Sequence, residues 1–226
     1  MAPCRQVFGD GAADTGGRAG HEPGRPVTNQ EEGVYDSSAT RARLLAAAHD
    51  EFVRVGFAGA RVGRIADAAS ANKQAIYAYF GSKEALFDAV LGDRLSVLAD
   101  AVPFTADDLP GYTGALFDAL TADPALQPLT QWKMLERPEA SDQERDAHLS
   151  KAAALAEHHG VAVPAAMDAL MFAISAAQSW GMTAEVIRNP LADKPEDRLA
   201  GHRAALVHAI SAATAALLTR STGTAR

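Results

Sequence analysis

Between Arg61 and Lys83 the chain reads RVGRIADAASANKQAIYAYFGSK, and this stretch constrains the fold more than any other. Val62, Ile65, Ala66 and Ala69 recur at i, i+3, i+4 and i+7, the spacing that gathers apolar side chains on one helical face. The pattern breaks at Ser70-Ala71. Asn72 is then suited to cap a second helix, because its side-chain oxygen can accept an orphan backbone N–H one turn in. From there Ile76 and Phe80 fall at i, i+4 and point inward together, which leaves Lys73, Gln74 and Tyr77 outward. A short helix that shows a cation, an amide and a phenol to solvent is equipped to read base edges.

Taken with TRARLLAAAHDEFVRVGF (Thr40 to Phe57) before it and GSKEALFDAVL (Gly81 to Leu91) after it, the stretch resembles the helix-turn-helix domain of TetR-family transcriptional regulators. The resemblance rests on Gly56-Phe57 closing a first helix and on the core pair Ile65-Ala66. It rests also on the aromatic cluster Tyr77 to Phe80 and on Ser82-Lys83-Glu84 opening a fourth helix. Two features depart from the family pattern. Ala60 stands where Thr or Ser usually caps the second helix, and Ser70-Ala71-Asn72 replaces Gly-Val-Ser, removing a glycine with easy access to left-handed backbone.

The net charge of −7 suits a DNA-binding chain only when divided along its length. Residues 1–38 carry three basic against six acidic side chains, 39–102 carry eight against seven, and 103–226 carry ten against fifteen. The segment that resembles a DNA-binding domain is thus the one without excess acid, and acid elsewhere is screened beyond a Debye length of about 8 Å. A balance of one charge is also what chance would give. Cys4 is the single cysteine, which excludes intrachain disulfides and fits a reducing cytoplasm. The chain contains no run of eighteen uncharged apolar residues and no secretory core, so no membrane segment is expected.

Residues 1–38, rich in Gly, Pro and polar residues, read as a disordered tail. A first helix starts near Ser38 or Thr40 and buries Leu44, Leu45, Ala48 and Phe52. Ser82 caps a fourth helix of about 82–102 that links the two parts and is the expected carrier of any signal between them; Gly92 inside it marks either a bend or a close helix–helix contact. Further helices follow at about 110–122, 124–136, 142–159, 164–188 and 196–219, with Pro124 and Pro164 in first turns and Pro138 and Pro190 after helix ends. The expected architecture is all-α. A helix-turn-helix domain spans 39–85, a helical ligand-binding and dimerisation domain 86–220, and a short tail 221–226.

For DNA contact, Lys73 and Gln74 are expected at base edges and Tyr77, Tyr79 and Lys83 at phosphates. The resemblance adds Thr40 or Arg41 at a phosphate, although Thr40 is equally a plain helix cap. Lys83 sits in a first turn, where the helix dipole disfavours a cation; a nearby phosphate accounts for it. The resemblance further implies a homodimer through the last two long helices, with Met167, Ile174, Gln178, Leu206, Ile210, Ala213 and Leu217 as candidate interface. It implies an unidentified small-molecule inducer held among Phe117, Trp132, Met134, Met171, Phe172, Trp180 and Met182. Ordinary core is the competing account of both sets. His158 and His159 diverge by about 100° on a helix and read as a surface pair, and no HExxH, GxSxG or phosphate loop is present. Neither a cofactor, a metal site nor catalysis is expected. The function implied is a repressor released from a palindromic double-stranded DNA operator by its inducer. The alternative is an all-helical ligand-binding protein or enzyme whose helix-turn-helix no longer binds DNA.

Overall fold

The computed structural model describes residues 30–190 and 195–219. Its elements are helices throughout: α1 Gln30–Gly59, α2 Val62–Ala68, α3 Lys73–Phe80, α4 Lys83–Ala101, α5 Leu109–Ala122, α6 Leu126–Glu136, α7 Asp142–His159, α8 Val163–Met182, α9 Glu185–Arg188 and α10 Pro195–Leu217. Most of the expected tail and the terminal tail 221–226 lie outside the described residues. The first helix begins at Gln30, upstream of the expected Ser38. The expected helix 164–188 is two helices, because Thr183 takes extended backbone (φ −101, ψ 132) after its hydroxyl bonds back to the Ser179 carbonyl at 2.8 Å.

In the N-terminal unit Leu44, Ala48 and Phe52 of α1 meet Ile65 and Ala66 of α2, Ile76 of α3 and Leu86, Phe87 and Val90 of α4, all buried. Phe52 and Phe87 meet edge to face at 5.0 Å, and Phe57 closes on Phe87 at 5.5 Å. Helical φ/ψ stops at Gly56 (φ 72), as the sequence implied, and a second constraint acts there. A Cβ on Gly56 would stand 2.8 Å from the Trp132 indole of α6, so only glycine allows both the turn and that contact.

The turn after α2 is a Schellman motif: Ala71 N–H donates to Ala66 O at 2.9 Å and Ser70 N–H to Asp67 O at 3.1 Å. Its left-handed position is Ser70, at φ 51. The end of α7 is built similarly with Gly160 at φ 66, where no Cβ is strained. Ser70→Gly is therefore expected to raise stability by about 1 kcal/mol, read as a higher urea midpoint at unchanged slope.

In the second unit α5, α8 and α10 pack on one another and α7 packs on α8. Close approach is possible because Ala166, Ala169, Ala173 and Ala177 line the buried side of α8 and Gly114 of α5 lies against Val207 and Arg203 of α10. Leu206 and Ile210, two of the expected dimer-face residues, are buried inside this packing within one chain. Ala213 and Leu217 are half-buried beside them, as are Met167, Ile174 and Gln178 on α8. Helix α6 leaves this unit to pack on α1. A Cβ on Gly92 of α4 would meet nothing within 4 Å, so no close helix–helix contact explains that glycine.

Candidate nucleic-acid interface

Helix α3 starts where Asn72 Oδ1 accepts from Ala75 N–H at 2.8 Å, and α4 where Ser82 Oγ accepts from Ala85 N–H at 3.1 Å. With Ile76 fully buried, these caps fix the rotation of α3 and put Lys73, Gln74 and Tyr77 on its exposed side. Tyr77 is 52% and Tyr79 36% exposed. The Lys73 stem lies back across Gly63 of α2, with Cε 2.9 Å from where a Cβ would stand. Phe80 is half-buried, with the Arg41 guanidinium over its ring at 5.2 Å.

Lys83 is half-buried with its ammonium 4.6 Å above the Phe57 ring, and the Arg137 guanidinium stands 5.5 Å from that ring. A cation over an aromatic face is held by the ring quadrupole, so Phe57 positions both. Thr40 Oγ1 accepts from Arg43 Nη2 at 3.0 Å, and Arg43 Nε donates to Ala69 O at 3.3 Å. Thr40 thus anchors an arginine that spans α1 to the end of α2. Arg41 of α1 is tied to Phe80 of α3, and Lys83 of α4 to Phe57.

Sequence reasoning missed Glu51. The N-cap of α2 is Arg61, not Ala60, and no local side chain bonds to that helix start. Instead Glu51 reaches over from α1. Its Oε1 accepts from Arg61 N–H at 3.0 Å and from Arg64 Nε at 2.7 Å, and Oε2 accepts from Arg54 Nη2 at 2.5 Å. Burial pushes this carboxyl up, but the bonds from Arg64, the Arg61 backbone and Arg54 outweigh it and hold it down at about 2.

The expected inducer residues do not share one cavity. Phe117 and Trp180 come together with ring centroids 6.5 Å apart, and His202 joins them at 5.7 and 5.0 Å. Trp132 packs on Gly56 instead, and Met134, Met171, Phe172 and Met182 are each more than half exposed. Long apolar side chains at helical spacing do not reveal which face a helix buries. A cleft of about 350 Å³ opens between α5, α6, α8 and α9, with Trp180, Gln127, Gln131 and Arg188 on its wall. His158 and His159 meet edge to face at 4.8 Å. Among the described residues no group of three His, Cys, Asp or Glu lies close enough to hold a metal ion, and no single helix is long and apolar enough to cross a membrane.

Residues 44–90 match the family model described as bacterial regulatory proteins, tetR family, and residues 108–211 match the tetracyclin repressor-like C-terminal domain. The chain is 40% identical over 156 residues to the HTH-type transcriptional repressor SCO4008 of Streptomyces coelicolor, covering 65% of this chain and 80% of that one. It is 48% identical over 67 residues to the HTH-type transcriptional repressor NicS of Pseudomonas putida, which covers 29% of this chain and 32% of the relative. Among solved structures, the transcriptional regulator SCO4942 of Streptomyces coelicolor superposes with a TM-score of 0.65 at 37% identity, over 76% of this chain and 97% of that one.

Proposed function

Since this chain belongs to the TetR family of bacterial regulatory proteins and is a ligand-responsive DNA-binding regulator, we propose that α3 reads its operator and that ligand in the helical unit releases it. The observation that carries the DNA contact is the rotation of α3. Ile76 is fully buried while Gln74 and Tyr77 face outward, beside the caps and aromatic props that hold Lys83 and Arg41. Lys73 and Gln74 then meet base edges, and Thr40, Arg41, Tyr77, Tyr79 and Lys83 meet backbone phosphates. The relatives are regulators over both units, so loss of DNA binding or a catalytic role is not favoured. The N-terminal unit at 39–85 is the reading head, and 86–220 senses and dimerises. The protein acts in the cytoplasm, on operators with half-sites about 34 Å apart or a multiple of that.

Fluorescence anisotropy with a palindromic duplex from upstream of the gene tests this reading. Gln74→Ala is expected to relax preference at one position per half-site by about 1–3 kcal/mol. Lys83→Ala is expected to weaken all sequences alike and to lower the salt slope by about one. A Lys83→Ala protein with altered preference and unchanged salt slope would overturn the assignment.

The route of response runs through α6. Its first half lines the cleft with Gln127, Pro128 and Gln131. Its far end holds the reading head: Trp132 sits on Gly56, Glu136 Oε2 accepts from Ala58 N–H at 2.8 Å, and Arg137 Nη1 donates to Glu84 O at 3.2 Å and Asp88 Oδ1 at 2.5 Å. A ligand that prefers a shifted α6 weakens operator binding by the factor by which operator weakens ligand binding. Helix α4 was the expected carrier; α6 and the residue after it bond to both α1 and α4, and α6 carries the cleft residues as well.

Dimerisation is supported by the unpartnered faces of α8 and α10. Phe172 and Met171 are 58% and 57% exposed on α8, and Ala205, His208, Ala212 and Ala215 are exposed along α10. Small side chains allow backbones to approach closely across a two-fold axis.

A further inference from the structure

The sequence from 103 to 226 is acidic, with ten Lys and Arg against fifteen Asp and Glu, yet the one ionisable residue among the described residues lining the 350 Å³ cleft is Arg188. Arg188 Nη1 donates to Trp180 O at 2.9 Å, closing the end of α8. That bond occupies one of five guanidinium donors. Its Nε is buried without a partner, as is Asn189 Oδ1 beside it. An anion that settles against the guanidinium would meet the donors that this bond leaves open.

Arg188 and Arg198 stand 5.1 and 5.4 Å from the Trp180 ring. Asp123 is paired with Arg94 and Asp118 with Arg203 at 2.7 Å, while Glu185 lies one turn before Arg188 on α9. Burial, and then the charge of Arg198, hold the His202 imidazole below its usual range. Trp180, Pro124 and Pro128 contribute flat apolar side chains to the lining, and Thr121, Gln127 and Gln131 contribute polar ones. The volume is at the small end for ligand sites.

We propose that this cleft takes a planar organic anion, an aromatic or heteroaromatic carboxylate of one or two rings, with the carboxylate on Arg188 and the ring against the Trp180 wall. The inference rests on the reading of the chain as a ligand-responsive regulator and names the class of its ligand. Arginine suits a carboxylate because its planar fork can offer two parallel N–H donors.

Isothermal titration of the full chain with 2-naphthoate, neutral 2-naphthamide and octanoate tests it. Naphthoate is expected to bind about tenfold or more tighter than either, the worth of one charge-assisted contact. Arg188→Met should erase the preference for naphthoate over naphthamide, and Arg188→Lys should retain part of it. Equal affinities on the unaltered protein would overturn the proposal whatever the variants do, as would a preference that survives Arg188→Met. Operator anisotropy separates the two levels. A chain that holds its operator but prefers no anion loses the ligand class alone, whereas one that holds no palindromic operator loses the regulator reading.

Discussion

Replacing Glu51 with Ala is expected to lower stability by about 2–3 kcal/mol, the sum of a lost helix cap and two ion pairs discounted for the exposure of their arginines. Arg54 and Arg64 are 60% and 42% exposed and can turn to water, but the Arg61 N–H at the start of α2 cannot find another side chain. For a chain of this size the melting temperature should fall by about 5–10 °C. Glu51→Gln keeps an acceptor for Arg61 and loses the charge, so it should fall between the two. The pH dependence has a fixed sign. The folded carboxyl titrates at about 2, below its usual 4.5, so its contribution is complete above about 4.5 and is lost as pH falls towards 2. The alanine variant should therefore show a flatter acid limb in urea midpoints collected from about pH 6 to 3. Parallel limbs would remove Glu51 from its role.

The second large effect separates a core position from an interface within the helical unit. Ile210→Asp places a charge in the packing between α10 and its neighbours, where Ile210 is 5% exposed, and should cost several kcal/mol, enough to unfold the helical unit. Phe172→Asp changes an exposed position, so the protomer should keep its helicity and melting temperature. In a dimer two such charges are buried at about 1.5–3 kcal/mol each, so the dissociation constant should rise about 100-fold or more. Sedimentation velocity should show a folded monomer for Phe172→Asp, with operator affinity reduced because two reading heads no longer bind together. A folded, dimeric Phe172→Asp protein would place the seam on another face.

The elements of the reading head were legible because each is specified within a turn or two of chain. Asn72 and Ser82 bond N–H groups three residues on, Gly56 breaks its own helix, and Ile65, Ala66 and Ile76 are buried where a period of 3.6 places them. The strain at the turn was legible too: with glycine absent, Ser70 itself takes the left-handed backbone. In the second unit the helices were recovered within a few residues, apart from the break before α9, but not the faces they bury. Helices rich in Ala present nearly the same periodicity on several sides, so spacing alone did not show that Leu206 and Ile210 of α10 face their neighbours or that Phe172 of α8 faces outward.

What the sequence determined by itself is the helical class, the reading head and its outward residues, because caps, breakers and apolar periods act over i to i+4 and carry their partners with them. What tertiary structure decided is which distant groups meet. Glu51 caps a helix whose Arg61 N–H lies ten residues away, and Ala58 finds its acceptor on Glu136, seventy-eight residues on. Trp132 leaves the expected ligand pocket for the space that Gly56 keeps open, and Arg188 closes α8 from the wall of a cleft while its own Nε stays buried and unmatched. Such contacts depend on the angle and separation at which whole helices pack, and those are set by the summed shape of many side chains.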